Sequence, residues 1–171
     1  LFRSNTNTTE HSIYTSLALS HREPTRADLV DSPEEQKPVP ERMFDVEFGY
    51  RIKDAKMAFN INGYYMYYIN QLVLTGEIND VGAALMKNVP YSYRSGIELI
   101  AAYQPLHFFQ WKINGTLSLN KILHYAEYVD NWDTGLQEHL DLGTTNISFS
   151  PAIIASNSFI FTPLKDFKIE L

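Results

Sequence analysis

Five histidines, one dense acidic stretch and two strand carboxylates are the groups in this sequence whose types suit chemistry. His11, His21, His107, His124 and His139 are scattered, and no two have the spacing of a metal-ligating pair. Asp130-Asn131-Trp132-Asp133 has the carboxylate density of a cation loop. It lacks the register of an EF-hand and its distal glutamate, so it reads as a connection. Trp132 offers a ring that stacks on a sugar or an aromatic ligand, or that packs as an anchor on its own scaffold. Glu47 and Glu98 could be set out as a glycosidase pair, but nothing in the sequence fixes their separation, and carboxylates on a wet strand face are ordinarily just solvated. There is no G-x-S-x-G elbow and no glycine-rich phosphate loop. Cysteine is absent, which removes disulfides, thiolate metal sites and cysteine nucleophiles together. Sequons at Asn7, Asn114 and Asn146 inform only on a secreted eukaryotic protein. The chemistry-bearing residues therefore nominate no catalytic, metal or cofactor site, and the expectation is a non-enzyme without a cofactor.

The question becomes what kind of scaffold these residues decorate. The chain has 171 residues and a net charge of -6. An acidic balance argues against a nucleic-acid partner, because phosphate neutralisation needs a clustered basic face. An apolar fraction of 44% is enough for folding. No apolar run approaches the roughly 18 residues of a membrane-spanning helix. The opening LFRSNTNTTE lacks the basic and apolar regions of a secretory leader, so no leader is expected in this stretch.

The hydrophobic period is two. Phe109, Trp111, Ile113, Leu117 and Leu119 alternate with Gln110, Lys112, Asn114, Thr116, Ser118 and Asn120. Successive strand side chains point to opposite faces, so this is a strand with one greasy and one wet side. Phe44, Val46, Phe48, Tyr50 and Ile52 alternate with Asp45, Glu47 and Arg51 in the same way. Met57, Phe59, Ile61, Tyr65, Tyr67 and Ile69 oppose Asn60 and Asn62. Weaker alternation covers 11–20, 93–103 and 153–162, and Phe167, Ile169 and Leu171 begin one more strand. That makes six strands and the start of a seventh, several of them about 10–13 residues long. Soluble strands usually run about 5–6 residues. A tilted strand crossing a bilayer needs about 9–11.

Connection lengths alternate too. Lys53–Ala55, Gln104–His107 and Pro163–Asp166 are short, whereas His21–Glu41, Asn70–Tyr91 and Leu123–Asn146 are long and rich in Pro, Gly, Asp and Asn. Short turns on one side and long loops on the other are the rhythm of an up-and-down outer-membrane barrel. Aromatic residues make up 13% of the chain and gather at strand ends, as at Tyr64–Tyr68 and Phe108–Trp111, where membrane interfaces favour amphipathic rings. Seven strands are too few to close a membrane barrel, for which about eight is the minimum. Open sheet edges cannot stand in lipid. The expectation is a segment of a larger barrel.

Several stretches resemble the C-terminal barrel of TonB-dependent outer-membrane receptors. They are SHREPTRADLVD (20–31), PERMFDVEFGYR (40–51), the Tyr-rich strand running into Asn70-Gln71-Leu72-Val73, Asp80-Val81-Gly82, NVPYSYRSGIEL (88–99), the strand from Asn114 to Ile122, and FSPAIIASN (149–157). No one stretch is specific; their order and spacing are. The resemblance implies an all-β, antiparallel up-and-down meander belonging to a 22-strand transmembrane barrel in the outer membrane of a Gram-negative cell. Residues 1–171 would be a partial barrel domain with the plug absent. It implies a parent receptor that imports a scarce solute of the siderophore–iron, cobalamin or oligosaccharide class, with TonB engaged through the plug and not through this segment. The implied partners are membrane lipid, the plug, the remaining strands and a small-molecule or oligosaccharide ligand; the ligand-contacting residues stay unassigned.

The facing follows from the alternation. The odd set from Phe109 to Leu119 is expected against lipid. Lys112, Asn114, Thr116, Ser118 and Asn120 are expected toward the lumen, with Asp45, Glu47, Arg51, Asn60 and Asn62. The alternative is a soluble β-sandwich carbohydrate-binding module, which requires a second sheet burying the odd set in one dry core.

Overall fold

The structure is a computed structural model that describes residues 9–32, 37–78, 84–131 and 136–171. Eight strands form a single antiparallel sheet: β1 (Glu10–Arg22), β2 (Glu41–Lys53), β3 (Met57–Ile78), β4 (Ala84–Leu106), β5 (Phe109–Asn131), β6 (Leu136–Asn146), β7 (Ile153–Leu164) and β8 (Phe167–Glu170). One short helix, α1 (Arg26–Asp31), lies between β1 and β2. From β1 to β5 each strand pairs with the next in sequence, so the sheet is an up-and-down meander. It is open, with β1 and β8 at its two ends. The expected all-β meander is what the chain forms.

The short turns form as expected, each closed by local chemistry. At the β2–β3 turn the Asp54 carboxylate accepts from the amides of Lys56 and Met57, both at 2.7 Å. This is the aspartate turn that substitutes a side chain for a backbone acceptor. The β4–β5 turn is narrower than the expected 104–107: Leu106 pairs with Phe109 and only His107 and Phe108 lie between. Pro105, which has no amide to give, falls in the register irregularity just before it. The third turn shrinks to Lys165 and Asp166.

The long connections need correction. Asn70–Tyr91 and Leu123–Asn146 are not loops over most of their length. β3 runs on to Ile78 and β4 starts at Ala84, while β5 runs on to Asn131 and β6 occupies Leu136–Asn146. β4 and β5 are 23 residues each, a reach of about 75 Å at ~3.3 Å per residue. Above Tyr91 and Leu123 the two strands no longer pair with each other, so β3–β4 and β5–β6 separate into projecting hairpins. Asn70 and His124 stand at the departure of each, with φ of 55° and 51°. Alternation fails to announce these extensions because neither face of a hairpin standing in water needs to be apolar. A small core of Val73, Val89, Ile122 and Ile147 gathers at their base, with Tyr125 packed on it.

β6 and β7 lie along the same edge of β5 and run in the same direction. They are two halves of one strand, interrupted between Asn146 and Ile153. The ladder nearly survives the break: the Ile147 amide donates to the Asn120 carbonyl and the Ser118 amide to the Ala152 carbonyl. Counted this way, the sheet is the expected six strands and the start of a seventh. The third long connection contains α1, whose Thr25 cap accepts from the Asp28 amide while the Asp28 carboxylate accepts from the Thr25 amide. That reciprocal arrangement satisfies two otherwise orphaned amides at the helix start.

Candidate functional site

Directly paired residues in an antiparallel ladder share a face. The registers therefore sort the sheet into two surfaces. One carries the rows Leu19–Phe44–Tyr67–Tyr93–Lys121, Leu17–Val46–Tyr65–Ser95–Leu119, Thr15–Phe48–Gly63–Ile97–Leu117 and Ile13–Tyr50–Ile61–Leu99–Gly115. The other carries Ala18–Asp45–Met66–Arg94–Asn120, Ser16–Glu47–Tyr64–Gly96–Ser118, Tyr14–Gly49–Asn62–Glu98–Thr116 and Ser12–Arg51–Asn60–Ile100–Asn114. All ten residues expected on the wet side share the second face. All five members of the odd set share the first.

Among the described residues no second sheet covers the first face. Leu117 and Leu119 are 59% and 58% exposed. The dry core that a soluble sandwich requires is not formed among these residues.

The apolar face is bounded by rings. Near the long-connection end Tyr65 stacks with Tyr93 and Tyr67 with Tyr91. Near the short-turn end Phe109 packs against Phe159 and Phe161, and Trp111 stacks on Phe159. The Trp111 indole N–H donates to the Asn157 side-chain oxygen, which satisfies its one polar group. Tyr93 and Tyr103 lie ten residues apart on β4, one in each belt. That is roughly 33 Å along the strand, or about 25 Å in height at a tilt near 40°, the band height of an outer-membrane barrel.

The polar face has its own vertical order. Asp45, Glu47 and Glu98 lie at mid-height, and Arg51, Lys53 and Lys112 lie below them toward the short turns. The cations ring a trough of about 560 Å³ floored by Ala58, Ile100 and Ala102. Asp45 Oδ1 and Asn62 Oδ1 are buried and accept no hydrogen bond among the described residues. In the same row as Asp45, Arg94 donates to the Ser150 hydroxyl at 2.9 Å and to Asn120 Oδ1 at 3.4 Å, tying the wall to the break between β6 and β7. The Ser92 hydroxyl, fully buried, donates to Gln71 Oε1 at 2.6 Å.

Glu47 and Glu98 share the polar face, but β3 lies between their strands and puts Asn62 and Tyr64 there. His11 bonds the Tyr50 hydroxyl at 2.8 Å on the apolar face, and His107 packs edge-on to Phe108 in its turn. No group of three metal-ligating side chains forms among the described residues. Asp130 and Asn131 end β5, whereas Trp132 and Asp133 lie outside the described residues, as does the His139 side chain. Arg94, Tyr14, Tyr64 and Tyr68 join the polar face without having been singled out by alternation. Aromatic residues carry no facing label of their own, and only the register of a neighbouring strand supplies it.

A family model described as "TonB dependent receptor-like, beta-barrel" matches residues 5–160. The chain belongs to this family. Among solved structures it is similar to the copper transporter OprC, with a TM-score of 0.57 and 12% identity over 94% of this chain and 30% of that one. It is also similar to the FrpB iron transporter from Neisseria meningitidis (F3-3 variant), with a TM-score of 0.49 and 13% identity over 90% of this chain and 30% of that one. No curated protein matches the sequence. The chain thus spans under a third of either transporter's length, and at 12% identity the likeness to OprC concerns the fold alone. The polar and apolar faces described above are those of a TonB-dependent receptor barrel wall.

Proposed function

We propose that the chain is part of the wall of a large outer-membrane barrel, of the 22-strand type, whose parent protein imports a scarce solute using energy relayed by TonB. In this reading residues 1–171 are barrel alone, the apolar face meets lipid, and the polar face lines the lumen. The plug that TonB engages is a separate part of the parent protein. The solute is a small molecule of the siderophore–iron, cobalamin or oligosaccharide class. The protein is not an enzyme; its work is selection and passage.

One observation carries the membrane assignment. Between the two aromatic belts the first face bears no carboxylate and no cation among the described residues, while Asp45, Glu47, Glu98 and Arg51 all stand on the second. A lysine or arginine facing hydrocarbon at the midplane costs about 2–4 kcal/mol and a carboxylate less, so a lipid wall excludes charges that water tolerates. The second face suits a filled, hydrated lumen. The unpartnered oxygens of Asp45 and Asn62 are acceptors held ready for donors on whatever occupies the barrel, here the plug or its waters.

The test uses the absence of cysteine from this stretch. Single cysteines placed from 113 to 119 in the full-length parent, reconstituted in vesicles, are probed with a bilayer-confined and a water-soluble thiol reagent. Odd positions should react with the first and even positions with the second. Equal reaction at Leu117→Cys and Ser118→Cys would remove the assignment of faces.

A further inference from the structure

The polar face separates its charges by height. Asp45, Glu47 and Glu98 occupy three successive rows at mid-height, where the one cation, Arg94, is engaged by Ser150 and Asn120. The next two rows toward the short turns are cationic. One reads Arg51–Asn60–Ile100–Asn114–Ser156 and the other Lys53–Ala58–Ala102–Lys112–Ser158. Two alanines between two lysines leave a recess, because a methyl group fills little of the depth that the flanking stems reach. This recess is the trough of about 560 Å³. Lys53 and Lys112 stand three strand steps apart, about 14 Å at the usual strand spacing, with Arg51 one row above Lys53.

A hydrated wall carries solvated lysines as a matter of course, so the cations alone specify nothing. The recess between them does. Its floor, Ala58, Ile100 and Ala102, is apolar on a face that is otherwise polar at this height. No hydrogen bond or ion pair engages Lys53 or Lys112 among the described residues. The Arg51 guanidinium lies 5.9 Å from the centroid of the Tyr14 ring, a contact that leaves its N–H donors open. Carboxylates stand only at the margins. Glu10 pairs beside Lys53 on the outer strand β1, and Glu170 on β8 is held by Lys168 and by the Ser158 hydroxyl. The trough therefore offers positive charge at both ends and an apolar surface between.

We propose that this trough binds an acidic organic solute, a flat apolar body with carboxylates at opposite ends. The body lies on Ala58, Ile100 and Ala102. One carboxylate meets Arg51 and Lys53, and the other meets Lys112. The guanidinium fork takes a carboxylate bidentately and each ammonium acts as a point charge. The span between the lysines selects for two separated acidic groups, since a small anion reaches one end only. The carboxylate band above repels the same charge, so the solute is favoured at the short-turn end of the wall and not at mid-height. This rests on the reading that the polar face lines a solute passage, and it narrows the solute to an acidic one.

The experiment uses the full-length parent in vesicles with a single cysteine, Asn114→Cys, which lines the trough. A water-soluble thiol reagent labels it in the presence of rising terephthalate. Terephthalate should protect the cysteine, benzoate should need a higher concentration, and the neutral terephthalamide should not protect. Arg51→Gln and Lys112→Gln should each raise the half-protecting concentration roughly fivefold, and together more, with the difference shrinking in high salt. Lys121→Gln, on the apolar face, should leave it unchanged. No protection, equal protection by terephthalamide or by inorganic phosphate, or protection that survives the paired substitutions would overturn the proposal. The comparison of the three aromatic probes needs only the Asn114→Cys protein, so it stands whether or not the variants at 51 and 112 assemble. Labelling by a bilayer-confined reagent instead would sink the assignment of faces itself. Labelling by neither reagent would mean that a segment of the parent fills the trough, and would sink this inference alone.

Discussion

Tyr14 and Gly49 are direct partners across β1 and β2, and the tyrosine ring occupies the space that a side chain at 49 would need. A Cβ built on Gly49 would collide with Tyr14 Cζ. The ring lies across the glycine, with the Arg51 guanidinium 5.9 Å from its centroid and its hydroxyl 3.4 Å from Asn60 Oδ1. Tyr64 and Gly96 repeat the arrangement one strand pair along. Glycine here serves close approach, since neither residue has a positive φ.

The two joints should respond differently to a methyl group. At Gly49 the obstacle is a side chain that can swing away, so Gly49→Ala should cost about 1–2 kcal/mol and Tyr14→Ala should suppress most of that cost. At Gly96 a Cβ would also collide with the Leu117 carbonyl oxygen, which is backbone of the paired strand. Gly96→Ala should therefore cost more, near 3 kcal/mol, and Tyr64→Ala should not rescue it. Urea titration of the refolded barrel in vesicles, run as two double-mutant cycles, checks both.

Leu117 and Ser118 are neighbours in sequence on opposite faces, which makes them a paired test of facing. Leu117→Arg puts a guanidinium in the apolar band and should cost about 2–4 kcal/mol of folding free energy. Ser118→Arg loses a 3.0 Å hydrogen bond to the Pro151 carbonyl and should cost about 1 kcal/mol. Assembly yield and urea midpoint give the comparison; equal losses would contradict the assigned faces.

What was legible in the sequence tracks where one face must be dry. From Phe44 to Ile52 and from Phe109 to Leu119 nearly every second residue is apolar, so strand and facing can both be read. Past Asn70 and Leu123 the same strands continue, but Gln71, Leu72 and Val73 are buried in succession and the period-two signal vanishes. Asn79 and Asp80, read as part of a long connection, lie outside the described residues. Along β6 the described side chains from Leu140 to Asn146 are exposed or half-exposed on both faces, so alternation gives no sign of a strand there. The interruption at 147–152 is invisible to periodicity because its bonds are to Asn120 and Ser118, residues about thirty positions away. The start of α1 was available: Thr25 followed three residues later by Asp28 is a capping pattern.

Glu41 links three elements. Its carboxylate receives the Arg22 guanidinium at 3.1 Å and the Leu72 backbone amide at 2.9 Å, so it fastens β1 and the departing β3–β4 hairpin to the start of β2. The carboxylate is 12% exposed, so its loss leaves the Leu72 amide without an acceptor where water is scarce. Glu41→Ala should destabilise this junction by about 1–3 kcal/mol, and Glu41→Gln, which keeps an acceptor, by less. Hydrogen exchange at the Leu72 amide should accelerate in that order, with exchange in the β5–β7 ladder unchanged. A uniform acceleration across the sheet would mean global destabilisation and no local fastening.

Asn88 does the corresponding work for the connection that contains α1. Its side-chain oxygen accepts from the Val39 amide at 2.7 Å, and its amide nitrogen donates to the Val39 carbonyl at 2.9 Å and the Asn70 carbonyl at 2.7 Å. One side chain on β4 thus reads both backbone groups of Val39 and holds them beside the bend at Asn70. Asparagine is required because the pattern needs an acceptor and two donors on one planar group. Asn88→Asp keeps the acceptor but turns both donors into a carboxylate oxygen facing two carbonyls, so it should be worse than Asn88→Ala despite its closer shape. Limited proteolysis of the connection between β1 and β2 in the reconstituted parent gives the readout. Cleavage should rise in the order wild type, Asn88→Ala, Asn88→Asp. If aspartate is the milder substitution, the two donated bonds contribute little, and α1 is held to the barrel by its contact with β4 instead.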